Sequence, residues 1–528
     1  MLAKLILLYN TIVYLKPKQL RYQLVNRLRR KRSFAYYAKE VNFNLVNQLR
    51  FRYSIPQFTC YLGNLENLEF SFLNIAHQFC DEVDWNFLGY GKLWNYNLQY
   101  ANWLNQKEGS IEEKLQLLKS LQTSISEGVL QLEPYPVSLR SINVMRFVSS
   151  HDVNDFSVMH HLYTELTYLN KNLEFHILGN HLLENLFALA MGGAFFNRED
   201  WHNHAVDLLT RELKEQIHND GAHFELSPMY HQIIYYRLLE LIDWYDSYKQ
   251  KDPIFLKFCN SMAQKMSAWL NNITFDNGDI PLFNDAAKDI AFSTEKLNKY
   301  SEVLDIKSAD LELTDSGYRS FVTENYEIKL DLAQIGATYQ AGHAHADALG
   351  FIVYHAGKPL FVEQGTSTYE KGERRQLERS TEAHNCVVIS NRNQSEVWGG
   401  FRTGCRAITT ILSESENMFI AQHDGYRALN TIHTRVFELN SDKIIVEDSL
   451  SSDPEAVFYL HLHHQVNIER VGEFVFRLDN GVKIVFKGAS NTAIERYKQS
   501  ESYNCYHDAW RIKVAFKNSL ISRIEFCK

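Results

Sequence analysis

Residues 341–366 read AGHAHADALGFIVYHAGKPLFVEQGT, and they mark the point where the hydrophobic period of the chain changes. ALGFIVYH and KPLFVEQGT are apolar runs flanking Ala356-Gly357, the pattern of two antiparallel strands joined by a tight turn. Setting Tyr354 opposite Pro359 puts Gly350 opposite Glu363, so the GHAHAD loop enters beside Glu363 and its His343 and His345 curl over it. The later segment STEAHNCVVIS brings His384 to the start of another strand. His345, Glu363 and His384 are therefore expected at one sheet end. Two imidazoles and a carboxylate suit zinc or another divalent ion. A network of mutually satisfied polar side chains is the alternative.

Downstream of about residue 316 the strand pattern continues. NCVVIS, HTRVFELNSDKIIVEDSL, FVFRLDNGVKIVF and WRIKVAF alternate or run apolar between turn residues, as in an antiparallel β-sandwich. Upstream, from about 18 to 300, apolar residues recur three and four apart. EEKLQLLKSLQTSI, HLLENLFALAMGGAFF, WHNHAVDLLTRELKEQI and PIFLKFCNSMAQKMSAWL are examples, separated by short Gly, Asn or Asp breaks. Successive helical hairpins in a ring or solenoid explain this. The expectation is a multidomain α + β chain: a basic amphipathic region at 1–35, a helical domain at 36–312 and a β-sandwich at 313–528.

Composition sets bounds on function. The chain has 528 residues, too many for one core, and its 45% hydrophobic and 22% charged content is that of a folded protein. A net charge of −8 gives no global sign of nucleic-acid binding. Seven cysteines without a CxxC pair speak against a zinc finger or a disulfide framework and suit a reducing compartment. Residues 1–33 carry nine Lys or Arg and no acid. The basic cluster follows the apolar stretch, the reverse of a secretory signal, and the stretch is too short and polar to span a bilayer. An amphipathic helix in peripheral contact with a membrane is expected. A cytoplasmic location is favoured, with the periplasm or cell envelope as the alternative.

Two segments of the helical half carry chemistry. ILGNHLLENLFALA sets Asn180 and His181 at a helix start, where Asn180 could equally be a cap. NDGAHFELSPMYHQIIYY offers Ser227 as N-cap, Pro228 in the first helical position and Tyr230 in the first turn. A helix N-terminus contributes about 0.3–1 kcal/mol to a negative charge. Moving a phenol from pKa about 10 to about 7 needs about 4 kcal/mol. The helix end alone therefore cannot ionise Tyr230, and a buried, satisfied tyrosine is the plain alternative.

Assembled in order, these residues resemble the heparinase II/III family of polysaccharide lyases. The most specific runs are GHAHADALGF and LFVEQGTSTYEKGERRQLERSTEAHNCVVI. GKLWNYNLQYANWL, YPVSLRSINVMRF, NHLLENLFALA and DGAHFELSPMYHQ support them. The N-terminal region looks like that of members associated with bacterial surface-polysaccharide systems. The resemblance implies an incomplete (α/α) toroid followed by an antiparallel β-sandwich, with a cleft between them. It implies β-elimination at a uronic acid, in which the substrate carboxylate is neutralised, a base removes the C5 proton and an acid protonates O4. By position Asn180 and His181 match the neutralising pair, with His181 also a candidate base. Tyr230 matches the general acid, or acid and base in turn, and His343 the second domain's active-site histidine. His345, Glu363 and His384 match a structural metal site for zinc, manganese or calcium. Glu363 stands where relatives usually carry Asp in a DPGT-like run. The implied partner is an acidic polysaccharide, not a nucleic acid.

Lys92, Trp94, Tyr96 and Tyr100 in GKLWNYNLQY, with Arg140 in YPVSLRSIN, are candidate substrate contacts, since aromatic faces stack on sugars and Arg or Lys pairs with carboxylate or sulfate. Core packing of Trp94 and Tyr96 and a backbone-bonding Arg140 are the alternative. Two other functions remain open: a non-catalytic glycan-binding or surface-polysaccharide assembly protein on the same fold, and a glycoside hydrolase using Glu184 and Glu225.

Overall fold

The computed structural model describes residues 2–29, 31–43, 46–53, 63–64 and 66–526. Arg30 of the basic cluster, Cys60 and Cys527 lie outside the described residues, and the other five cysteines are free.

Several helices of the helical half begin where a side chain satisfies the first backbone N–H groups. Ser110 and Glu113 form a reciprocal capping box on Ile111–Ser126. Asp155 caps Phe156–Lys171, Ser227 caps Pro228–Ser247, and Asp252 caps Pro253–Ile273. Neighbouring helices pack together in sequence. Pro134–Ser150 lies against Phe156–Lys171 and Gly179–Phe195, and the latter against Glu199–Gln216. In Gly179–Phe195 every residue but His181 is buried. This is an inner helix of the toroid, and His181 is where it opens to the cleft.

The last helix of the helical half, Thr294–Val303, is followed by the first sandwich strand at Tyr318. Strands Tyr318–Val322, Tyr326–Asp331, Phe351–His355 and Lys358–Phe361 form a four-stranded antiparallel sheet. Its hairpin has Tyr354 opposite Pro359, with Ala356 and Gly357 both at positive φ. A bulge pairs Val353 with Phe361, one residue off the simple register.

All six residues of Tyr326–Asp331 are buried because this sheet is the middle layer. Ile328, Leu330, Phe351 and Val353 pack into the sandwich core. Glu327 and Lys329 point the other way, to Asp276 N and Asn272 O of the helical domain, and Tyr354 stacks on Phe275 at 3.7 Å. The second sheet has ten strands, with the long pair Lys483–Gln499 and His507–Glu525 at its centre.

Residues 63–78, expected in the helical domain, instead include the small sheet Gly63–Asn64, Glu69–Phe72 and Ile75–Gln78. Its two-residue turn puts Leu73 and Asn74 at positive φ, and the tip is clasped by the sandwich. Asn74 donates to Tyr503 O and Asn504 to Leu73 O, each at 2.9 Å. The N-terminal helices Leu2–Ile12 and Pro17–Leu28 lie across the boundary between the domains. Among the described residues no helix is long and apolar enough to cross a membrane.

Candidate active site

A cavity of about 1070 Å³ runs between the toroid and the sandwich, and Asn180, His181, Tyr230 and His343 all line it. Each is fixed by a partner from another segment. Asn180 is in the first turn of its helix but does not cap it. Its backbone N–H donates to Glu225 Oε1 at 2.9 Å and its amide to Glu225 Oε2 at 2.8 Å. Gly179 precedes it at φ 57°, where a Cβ would overlap Glu225 Oε1. His181 pairs through Nδ1 with Glu174 Oε1 at 3.2 Å and packs on Tyr135. Burial alone would lower its pKa, but Glu174 raises it above the usual histidine value, with Glu225 and Glu184 adding to the effect. The ring therefore favours its cationic form.

Tyr230 follows its cap as the spacing predicts, its N–H donating to Ser227 Oγ at 3.3 Å. The hydroxyl meets Tyr369 OH at 3.3 Å, and the ring lies 3.9 Å from that of His343. Burial holds its pKa well above 10, with Tyr503 adding to the shift, so Tyr230 stands as a neutral phenol able to give a proton. His343 Nδ1 lies 3.0 Å from Asp285 Oδ2, and Nε2 lies 3.8 Å from Glu225 Oε2. The carboxylate at Nδ1 orients the ring, and Nε2 is the nitrogen left outside that hydrogen bond.

Asp285 joins this site to a second one. Its buried carboxylate receives both terminal nitrogens of Arg375 and also meets His343 and His345 Nε2, the last at 2.9 Å. Burial opposes its ionisation, but Arg375 and the two histidines hold its pKa well below the usual carboxylate value.

Beyond it, His345, Asp347 and His384 place ligand atoms within 4.8 Å of one another. Glu363 reaches this cluster through His384, its Oε2 against His384 Nδ1. His345 Nδ1, Asp347 Oδ2, Glu363 Oε1 and His384 Nε2 are all buried without a hydrogen-bond partner. Four orphaned acceptor-type atoms fit a divalent cation, because leaving each unsatisfied costs about 1–3 kcal/mol. Burial pushes the Asp347 carboxyl up to about 6, with Glu363 adding and His384 opposing, and it lifts nearby Asp331 as well. A cation would relieve both.

The candidate substrate contacts divide. Tyr96, Tyr100 and Lys92 line the cavity, with Tyr96 OH donating to Glu133 at 2.6 Å and Lys92 Nζ at 2.7 Å. Trp94 does not. It is wholly buried, its indole donating to Ile75 O and its ring packed edge-on to Phe72 and Phe87. Arg140 does not either. It forks onto Glu165 and donates to Gln99 O, only 2% exposed. Both belong to the core, because their polar atoms find partners inside it. Glu184 and Glu225 cannot flank a glycosidic bond as free acids: Arg237 engages both oxygens of Glu184, and Asn180 both oxygens of Glu225.

The supporting groups Glu174, Asp285, Asp347, Tyr369 and Arg375 were not read from the sequence as site residues. Asp347 stood inside GHAHAD, two residues from His345, and its alternation with two histidines was a usable signal.

The N-terminal model of heparinase II/III matches residues 75–311, and the heparinase II/III-like C-terminal model matches residues 306–518. The chain belongs to the heparinase II/III family. It is 24% identical over 321 residues to a heparin-sulfate lyase of Bacteroides stercoris, covering 54% of this chain and 46% of that one. With one of Bacteroides thetaiotaomicron it shares 23% over 368 residues, 60% and 51% of the two chains. The chain thus spans about half the length of these curated relatives. Among solved structures, heparinase III superposes with a TM-score of 0.69 at 16% identity, covering 93% of this chain and 88% of that one. A heparan sulfate lyase from Pedobacter heparinus gives 0.58 at 16%, covering 93% and 87%. These family members share the toroid and sandwich described above.

Proposed function

We propose that this heparinase II/III family member is a polysaccharide lyase that cleaves a uronic-acid-containing acidic polysaccharide by β-elimination, leaving 4,5-unsaturated uronate ends. The observation that carries the reading is the neutral Tyr230 phenol against His343, facing Asn180 and a cation-favouring His181 in one cavity. Asn180 and His181 neutralise the uronate carboxylate, which acidifies C5–H. His343 Nε2, backed by Asp285, accepts that proton. The C5–H electron pair becomes the C4–C5 double bond, the C4–O4 bond breaks, and Tyr230 gives its proton to the departing O4. Lys92, Lys371 and Arg402 along the cavity suit a polyanion.

His345, Asp347 and His384 would hold a divalent ion, with Glu363 orienting His384 from its other nitrogen. Two imidazoles and a carboxylate favour zinc or manganese over calcium. Bound there, an ion would supply structural charge compensation beside the loop that carries His343.

The test is a panel of uronate polysaccharides, including heparan sulfate and alginate, followed by the ultraviolet absorbance of the conjugated unsaturated uronate. Reducing ends released without that absorbance would make the protein a hydrolase. Binding without either signal would make it a glycan-binding protein on a lyase fold.

A further inference from the structure

The two N-terminal helices form a strap over the cleft. Asn10 donates to Glu396 at 2.9 Å, and Trp398 donates to Thr11 at 3.1 Å, tying the first helix to the sandwich. Gln19 donates to Ile177 O at 3.1 Å and Arg29 to Lys171 O at 2.8 Å, tying the second to the toroid. The inner face of the strap, with Thr11, Leu15, Gln19 and Gln23, lines the cavity.

The outer face is unpartnered. Among the described residues, ten of the 25 exposed large apolar side chains fall between Leu5 and Leu28, and all of these but Leu8 and Ile12 lie away from the cavity. Leu5 and Tyr9 are spaced four apart on the first helix, with Val13 four further on in the turn just past its end, and Leu20, Leu24 and Leu28 are spaced four apart on the second, so each set forms one stripe. Tyr9 is 69% exposed and Leu28 76%. Exposed apolar surface gathered in one place marks an interaction site.

Charge decides the occupant. Residues 1–33 carry +9 without an acid, while the whole chain is −8, so residues 34–528 carry −8 − 9 = −17. Arg21, Arg27 and Lys31 stand exposed beside the apolar stripes. A second copy would bring two sets of nine cations together. A soluble polyanion would leave the leucines in water. An anionic lipid surface satisfies both the leucines and the cations, and it repels the acidic remainder, which fixes the orientation.

We propose that the strap docks the protein on an anionic membrane surface, its outer apolar face entering the interface while its inner face closes one side of the cleft. This holds whether or not the cavity has lyase activity.

The experiment is co-sedimentation of the whole protein with vesicles of phosphatidylcholine alone or mixed with phosphatidylglycerol, at low and high salt. Binding is expected only with phosphatidylglycerol, and salt should weaken it. Arg21→Gln/Arg27→Gln should bind about tenfold or more weakly. Leu24→Ser/Leu28→Ser should also lose binding, with an unchanged melting temperature. Equal binding to neutral vesicles, or none to either, would overturn the proposal. So would full binding by the leucine variant, which would mean a purely electrostatic polyanion surface. A dimer in sedimentation velocity that Leu24→Glu/Leu28→Glu dissolves would assign the face to a second copy and overturn it too.

Discussion

Replacing Tyr230 by Phe separates chemistry from packing at this site more cleanly than any other change. The ring stays, and with it the 3.9 Å contact to His343. Only the hydroxyl goes, and its one side-chain hydrogen bond, to Tyr369 OH at 3.3 Å, is at the long end of the range for O–H···O. Losing a neutral bond of that kind costs about 1 kcal/mol or less in stability. Losing a general acid typically costs about 10²–10⁴ in rate, which is about 3–5 kcal/mol in the barrier. The variant should therefore keep its melting temperature within a few degrees and lose nearly all turnover. Tyr369→Phe is the control: it breaks the same hydrogen bond but leaves the Tyr230 hydroxyl, so its rate loss should be far smaller. Turnover is read from unsaturated uronate on whichever polymer the panel identifies, and stability from thermal unfolding. A Tyr230→Phe enzyme with kcat within about threefold of wild type would refute the role of the phenol as acid. Equal losses in the two variants would mean that the hydrogen bond, not the proton, matters.

Other expectations follow from the same geometry. His181 has a raised pKa because Glu174 favours its cation. If the cation neutralises substrate, activity falls as pH rises through that pKa, and Glu174→Gln should move this alkaline limb to lower pH; an unmoved limb would assign it to another group. His345→Ala should lower bound metal and melting temperature together, measured by elemental analysis and thermal unfolding. Absence of any divalent ion from protein purified without added metal, with no thermal shift on adding zinc or manganese, would leave a polar network there. Arg140→Ala strands Glu165 in the core and should cost about 3–5 kcal/mol, lowering the melting temperature while the folded fraction keeps its KM. A raised KM with unchanged stability would return Arg140 to the cleft.

What the sequence made legible depended on whether a signal was local. The position of Tyr230 in its helix is legible because Ser227, Pro228 and the helix that follows set it within four residues, and a cap is read without knowing the fold. The hairpin at Ala356-Gly357 was legible for the same reason, although the bulge at Val353 was not, since nothing in the alternation announces an extra residue. The small sheet at 63–78 was missed because its turn is Leu73-Asn74. Both residues adopt positive φ, but Leu supplies none of the usual Asn-Gly signal. The interdomain bonds from Asn74 and Asn504 hold that turn, and such partners lie more than 400 residues apart.

Trp94 and Arg140 show the converse. Residue type suggested a sugar-binding surface, yet Trp and Arg also serve as core residues when Ile75 O, Gln99 O and Glu165 satisfy their polar atoms. The long-range partners matter most at Asp285. FNDAA has no recognisable motif, and only the fold brings this carboxylate to Arg375, His343 and His345 together. That one side chain faces the proposed base on one side and the proposed metal ligand on the other. Its charge is fixed by Arg375, so it can orient His343 without itself taking up the C5 proton. The proposed base and the proposed metal cluster are therefore not two independent sites but two ends of one buried carboxylate.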